Sequence, residues 1–276
     1  MKNIIHFFLS ICFSIGVVYA QDNFIGLRDE LSSVIAPFRG TVGIAMIDLH
    51  NNDTLTIHNT VHFPMMSVYK LPQAIAVLHE VDKGTLSLHE KIRITKDILD
   101  KFTWSPLKEQ HPGDTVELTI KELIVYTISY SDNLACDVLF ERLGGTKSVH
   151  NFIQKEGFPL IVVKNTEREI GKNINLIYEN SSTPFEMCRL LQQFSEKQLL
   201  HDSSTAFLLE CMTTNYTSSD VVLFESDVKL DGEGLVIGSG EYPNGLLLKH
   251  KTTDSTVTNL TIIPKTGYSN IRKFFF

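Results

Sequence analysis

Cysteine is scarce in this sequence, four in 276 residues, and no C-x-x-C pair occurs. That excludes a small disulfide-framed fold and a cysteine-based zinc site. Basic residues are also in short supply, with 25 Lys and Arg against 32 Asp and Glu. A chain of negative formal charge lacks the positive footprint that nucleic acid demands. Internal repeats and low-complexity tracts are absent, and past the first twenty residues no apolar run approaches the roughly 18 residues needed to span a bilayer. Tryptophan occurs once, at Trp104, in the run Thr103-Trp104-Ser105-Pro106, where it can line a cleft or fill a half-buried structural position.

What is present describes a globular chain, 43% apolar and 21% charged, sized for one large domain or a core with an inserted subdomain. The first twenty residues stand apart. Lys2 supplies a charged start, residues 4–18 an apolar stretch, and Val18-Tyr19-Ala20 a small-residue cleavage site, so residues 1–20 read as a signal peptide and 21–276 as the exported chain. Removal of the leader leaves 24 basic and 32 acidic side chains, and no membrane association is expected afterwards. Cys12 leaves with it. Cys136, Cys188 and Cys211 remain in apolar, helix-patterned stretches and are expected as buried small hydrophobes, with no metal assigned.

In chain order, Phe24, Leu27, Leu31 and Ile35 mark one face of a helix, and residues 41–49 and 54–58 flank the turn-forming Asn51-Asn52-Asp53. A helix is expected from Ser67 to about Val81, followed by a loop-rich stretch over residues 92–112. Thr119-x-x-Glu122 is a capping box opening a second helix to Ile128. Residues 134–143 and 146–156 read as helices around Gly144-Gly145, residues 157–182 show no sustained period, and Thr183-Pro184-Phe185-Glu186 restarts helix with a cap, a proline and a capping-box glutamate. A helix over 204–212 precedes β-rich runs at 221–224, 234–238, 246–249 and 257–263. Terminal strands forming one sheet, with the helices between them as a separate lobe, predict an α+β fold with its site in the cleft between the two.

The chemistry centres on Phe63-Pro64-Met65-Met66-Ser67-Val68-Tyr69-Lys70. On a helix, residues three apart share a face, so Ser67 and Lys70 point the same way. A serine hydroxyl is a weak nucleophile that needs a base beside it, and an amine removed from water at a helix head can serve.

Ser67-x-x-Lys70, Ser131-Asp132-Asn133 and a glutamate, Glu167, on the long loop together resemble the class A serine β-lactamases. The flanks Thr103-Trp104-Ser105-Pro106, Ser131-Asp132-Asn133-Leu134-Ala135-Cys136-Asp137 and Leu143-Gly144-Gly145 resemble the cephalosporinase branch of Bacteroides-like bacteria, with the likeness clear over residues 24–214 and not over 215–276. The resemblance implies a β-lactamase/transpeptidase-like fold and a monomeric, cofactor-free enzyme. It also implies periplasmic or secreted location and a small-molecule β-lactam substrate. It casts Ser67 as nucleophile, Lys70 as its proton acceptor or relay, Ser131 as proton donor to the lactam nitrogen, Asn133 as a holder of the drug's side-chain amide, and Glu167 as the base that activates the hydrolytic water. Asp132 is expected to stay buried and bond loop backbone. Glu169 competes with Glu167 on the same loop, but the family's return to helix 17 residues after its base matches Pro184 and favours Glu167.

Two positions depart from the family. Gly171 stands where an asparagine usually helps hold the water, which points to slower deacylation or to another group such as Asn173. The third motif, K-T-G, is expected near position 235, where Gly234-Leu235-Val236-Ile237-Gly238-Ser239-Gly240 carries no lysine. His250-Lys251-Thr252-Thr253 and Lys265-Thr266-Gly267 are the two candidates, with Lys251 favoured as a substrate-binding residue. No helix-length amphipathic segment follows Thr252, so the family's closing helix is expected to be missing and the fold marginally stable. An inactive or binding-only relative and a penicillin-binding transpeptidase are the alternative readings.

Overall fold

A computed structural model describes residues 24–37, 39–99, 104–113 and 115–213, with Ile25 by backbone alone, together with the backbone of four C-terminal strands. Helix α1 (Ile25–Ile35) leads to strands β1 (Val42–Ile47) and β2 (Thr54–Ile57), paired antiparallel around a turn in which Asn52 takes a left-handed φ of 60°. Leu31, Ile44, Met46 and Leu55 form a small core between α1 and one face of this sheet. The other face, through Ala45 and Ile47, meets Cys188 and Phe185 of a later helix. Gly43 permits that approach, since a Cβ there would strike the Phe63 ring and Pro184.

After β3 (Phe63–Pro64) the chain makes a 3₁₀ turn, Met66–Tyr69, that continues directly into α2 (Lys70–Asp82). The helix expected to start at Ser67 therefore begins as this tighter turn. Every residue of α2 from Lys70 to Leu78 is buried, so its faces are covered all round and it forms the axis of the main core. Burial of each Leu or Ile side chain contributes about 1.5–3 kcal/mol. Leu71, Ile75 and Leu78 thus hold the helix head firmly enough to keep a charged lysine inside.

The stretch 92–112 is more ordered than its composition suggested. It carries most of β4 (Lys91–Thr95), then α3 (Lys96–Leu99) and α4 (Pro106–Gln110), and β4 pairs with β5 (Thr115–Thr119) through Ile92 opposite Leu118 and Ile94 opposite Val116. Two apolar residues per strand make too short a period-two signal to be read before the partner strand is known. Helix α5 (Ile120–Ser129) opens with the Thr119–Glu122 capping box. Helices α6 (Asn133–Arg142) and α7 (Thr146–Lys155) follow, joined through Gly144 and Gly145 at φ 86° and 101°, values that glycine reaches without strain.

Residues 157–182 also contain structure: α8 (Glu167–Lys172), a 3₁₀ turn over Ile174–Glu179, and β6 (Ser181–Ser182) paired with β3. A six-residue helix has no periodicity to detect; its signal was the Thr166-x-x-Glu169 capping box. Helix α9 (Pro184–Ser195) starts at the Thr183 cap with proline first, but Glu186 does not close a box. Its carboxylate accepts from the Leu160 N–H and pairs with Arg189 instead.

Helix α10 (Asp202–Thr213) ends the helical lobe. Strands β7 (Leu235–Ser239), β8 (Leu246–Lys251) and β9 (Val257–Asn259) form an antiparallel sheet, and β10 (Thr261–Pro264) pairs with β1. The run 257–263 is thus divided between two strands that join different sheets. Positions 221–224, 252–256 and 265–276, including Lys265, lie outside the described residues, as does the expectation of an unclosed C-terminus. The result is an α+β fold in which strands from both ends of the chain meet in the sheet β10-β1-β2, with β7-β8-β9 as a second sheet and the helices between them in sequence.

Candidate active site

Four segments converge on the head of α2. Ser67 is carried by the 3₁₀ turn, Lys70 by the first position of α2, Ser131 and Asn133 by the α5–α6 junction, and Glu167 by the first position of α8. The buried Lys70 ammonium, 2% exposed, has five oxygens around it: Asn133 Oδ1 at 2.7 Å, the Ser131 carbonyl at 2.8 Å, Ser131 Oγ and Glu167 Oε1 both at 3.2 Å, and Ser67 Oγ at 3.3 Å. Three protons cannot serve five acceptors at once. The ammonium is therefore placed to exchange hydrogen bonds among Ser67, Ser131 and Glu167 with little movement. Ser131 Oγ lies 3.0 Å from Ser67 Oγ and completes the triangle.

The backbone is strained on both sides of this contact. Met66, just before Ser67, has φ 51°, and Ser131 has φ 53°. Non-glycine residues in this region cost on the order of 1–3 kcal/mol each and persist only where surrounding structure imposes them. Asp132 does so beside Ser131. Fully buried, it accepts from the Ala135 N–H at the start of α6, from the Leu107 N–H and from Ser105 Oγ, tying the junction to α4. Burial pushes its carboxyl above the ordinary aspartate range, against the pull of those three hydrogen bonds.

Glu167 and Glu169 are separated by their place in α8. Glu169 turns back to the Thr166 N–H and hydroxyl as the third-position member of a capping box, and it is exposed. Glu167 turns inward, 12% exposed, to Lys70. Gly171 has open space where a Cβ would stand, and the exposed Asn173 uses its side chain to cap the next turn at the Asn175 N–H. Lys251 is the last residue of β8, beside His250, which pairs with Leu235 of β7. The place where the third motif was expected, now β7, and the candidate Lys251 are thus on neighbouring strands of one sheet. His58 and His62, the one H-x-x-x-H pair in the sequence, follow β2 rather than lying on a helix, and the described residues contain no cluster of three or more metal-binding side chains.

Two residues with no role assigned from sequence hold the glutamate's loop. Asn180 accepts from the Lys164 and Asn165 N–H groups through Oδ1, donates to the Asn165 carbonyl, and accepts from the Met65 N–H through its own carbonyl, linking the loop to the start of the turn that carries Ser67. Asp137 accepts from the N–H groups of Glu167 and Arg168 at 2.8 and 3.0 Å, capping α8 from α6. It follows Asn133 by four residues, one helical turn on the same face.

Desolvation is the main cause that raises Asp137 to about 7; its two backbone hydrogen bonds pull the other way, and the nearby Glu167 charge adds to the rise. A carboxyl that keeps its proton in the fold to about pH 7, but ionises near 3.8 when unfolded, favours the fold most below pH 4. That contribution is lost as pH rises through 7. The change amounts to roughly 4 kcal/mol at most, or several degrees of melting temperature. Wild-type protein is expected to lose more melting temperature between pH 5 and pH 8 than Asp137→Asn does; equal losses in a calorimetric comparison would refute this coupling.

The same assembly recurs in known proteins. Residues 26–256 match the model of the beta-lactamase enzyme family. Beta-lactamase VEB-1 of Pseudomonas aeruginosa is 37% identical over 94% of this chain and 81% of its own length. The extended-spectrum beta-lactamase PER-1 of the same organism is 29% identical over 84% of this chain and 70% of its own. Among solved structures, a beta-lactamase from Chitinophaga pinensis superposes with a TM-score of 0.74 at 32% identity, covering 87% of this chain and 91% of that one. The chain belongs to the beta-lactamase enzyme family, as a class A serine β-lactamase with the β-lactamase/transpeptidase-like fold.

Proposed function

We propose that this β-lactamase works through an acyl-enzyme on Ser67, formed with Lys70 and Ser131 and released by water that Glu167 activates. The observation that carries the reading is the single buried ammonium shared by Ser67, Ser131, Asn133 and Glu167. Lys70 lends a proton to Glu167 and takes the Ser67 hydroxyl proton as Oγ attacks the lactam carbonyl carbon. The C–N bond then breaks, Ser131 protonates the lactam nitrogen, and Lys70 restores the Ser131 proton. Glu167 returns its own to Lys70 and is left ionised for the second half. The Ser67 N–H, at the start of a helical turn, supplies one oxyanion donor. Water then loses a proton to Glu167 and attacks the ester carbonyl; the bond to Ser67 Oγ breaks, and the proton passes from Glu167 through Lys70 to Oγ, which restores the free serine and the carboxylate. Asn133 holds the drug's amide.

Cephalosporins and penicillins are the proposed substrates, a range supported by the extended-spectrum description of PER-1. The leader at residues 1–20 supports export to the periplasm or medium, and no described helix is long and apolar enough to cross a membrane. We take the mature enzyme to be a monomeric catalytic domain spanning residues 21–276. Nitrocefin hydrolysis by the purified mature chain, with intact-mass detection of the acyl adduct, tests the scheme. An adduct without turnover would favour a binding-only relative, the reading to which the lysine-free β7 lends support.

Lys251 is proposed to receive the drug's carboxylate. The family match runs past it to residue 256 and stops short of Lys265, which supports that choice. A hydrogen-bonded charge pair is worth on the order of ten- to a hundredfold in affinity. Lys251→Ala is therefore expected to raise KM by at least tenfold with a smaller change in kcat, and Lys265→Ala to change neither. Steady-state kinetics with the two results exchanged would move the site to Lys265.

A further inference from the structure

Ser105, the residue before α4, is buried, and its hydroxyl makes two hydrogen bonds of different kinds. The oxygen accepts from the Lys108 N–H at 3.2 Å and so caps α4, while the hydroxyl proton goes to Asp132 Oδ2 at 2.9 Å. The same carboxylate oxygen accepts from the Leu107 N–H at 2.8 Å, and Asp132 Oδ1 accepts from the Ala135 N–H at 2.8 Å. One buried carboxylate thus joins the start of α4 to the start of α6 across 25 and 27 residues of chain. Two of these three donors are backbone groups, and Ser105 brings the side-chain one, which a substitution can remove. A cap for α4 needs only an acceptor, so the bond to Asp132 is a separate function of the hydroxyl. Ser131 directly precedes Asp132 in the left-handed region, at φ 53°, with its Oγ 3.0 Å from Ser67 Oγ and 3.2 Å from Lys70 Nζ. A strained backbone holds such a position only while its neighbours impose it.

We propose that Ser105 is a positioning residue for Ser131: through Asp132 it fixes the Ser131 hydroxyl where it can protonate the departing lactam nitrogen. The inference rests on the reading of Ser131 as that proton donor. In the step concerned the carbonyl C–N bond breaks, its electron pair goes to nitrogen, and nitrogen takes the Ser131 proton, which Lys70 replaces. Substrates differ in how much they need it. The nitrogen of a penicillin is bonded to saturated carbon and must be protonated as it leaves. That of nitrocefin is conjugated through the dihydrothiazine ring to a dinitrostyryl group, which spreads the charge and lets the bond break with less help. Loss of the Ser105 hydroxyl should therefore fall on penicillins.

The test compares kcat/KM, which reports the steps through acylation, for benzylpenicillin and nitrocefin on wild type, Ser105→Ala, Ser105→Thr and Ser131→Ala. Rates are normalised to the fraction of protein that acylates, so misfolded chains do not count. Ser105→Ala is expected to lose about tenfold with benzylpenicillin and less than about threefold with nitrocefin, part of the roughly 10²- to 10⁴-fold that a positioned general acid contributes. Ser105→Thr, which keeps the hydroxyl, should restore the wild-type ratio between the two drugs. Ser131→Ala should lose about a hundredfold or more with benzylpenicillin, again more than with nitrocefin. Equal losses on both drugs by Ser105→Ala, with a lower melting temperature, would reduce Ser105 to a cap for α4 and overturn the proposal. Unchanged benzylpenicillin kinetics in Ser105→Ala, with Ser131→Ala still impaired, would overturn it too and leave the proton-donor reading standing. Wild-type kcat/KM for benzylpenicillin in Ser131→Ala would remove both.

Discussion

Ser67→Ala is expected to abolish nitrocefin turnover and to leave no covalent adduct on drug-treated protein. The substitution removes one oxygen from a site whose other groups are held independently: Lys70 keeps Asn133, Ser131 and Glu167, and Ser131 stays fixed by the turn that Asp132 ties to α4. The fold should therefore survive. Loss of the attacking atom in a covalent mechanism costs roughly 10⁴-fold or more, because the remaining groups can only bind and polarise the ring. Intact mass after incubation with drug gives the decisive reading. An adduct that persists on the alanine variant would place the nucleophile elsewhere.

Glu167→Gln is expected to acylate and then stall, with the adduct accumulating to one equivalent and its release slowed by about 10²- to 10⁴-fold, the usual worth of a positioned general base. The amide keeps the shape of the carboxylate but cannot take a proton from water. Glu169→Gln should be nearly silent, because its carboxylate is engaged outward with Thr166 and glutamine serves equally well in a capping box. The two variants differ by two residues on one short helix, so the pair also tests the assignment of positions in α8. A trapped adduct on Glu169→Gln together with normal turnover by Glu167→Gln would reverse the roles of the two acids.

Local chemistry made much of this protein legible from its residues. Capping boxes, proline at a first helical position and the Gly144-Gly145 pair are interactions within a few residues, so α5, α6, α7, α10 and the start of α9 could be located to within a residue or two. The pair Ser67 and Lys70 needed only helical spacing to share a face, even though its turn is 3₁₀ at the start. Pairing across distance was not legible in the same way. β4 and β5 carry two inward apolar residues each and acquire meaning only when Ile94 finds Val116 some twenty residues on.

The site divides along the same line. Helical spacing supplied Ser67 and Lys70, and resemblance to a family supplied Ser131 and Asn133 and chose Glu167 over Glu169. Tertiary structure alone decided that the first position of α8 turns toward a buried ammonium while the third turns back to its own cap. It decided also that Asp137, quoted in a motif without a role, is the group that holds the head of α8. The physical reason is that capping and periodicity are settled by neighbours along the chain. The orientation of a carboxylate, and the burial that keeps Asp137 protonated to about pH 7, depend on which distant segments exclude water from it.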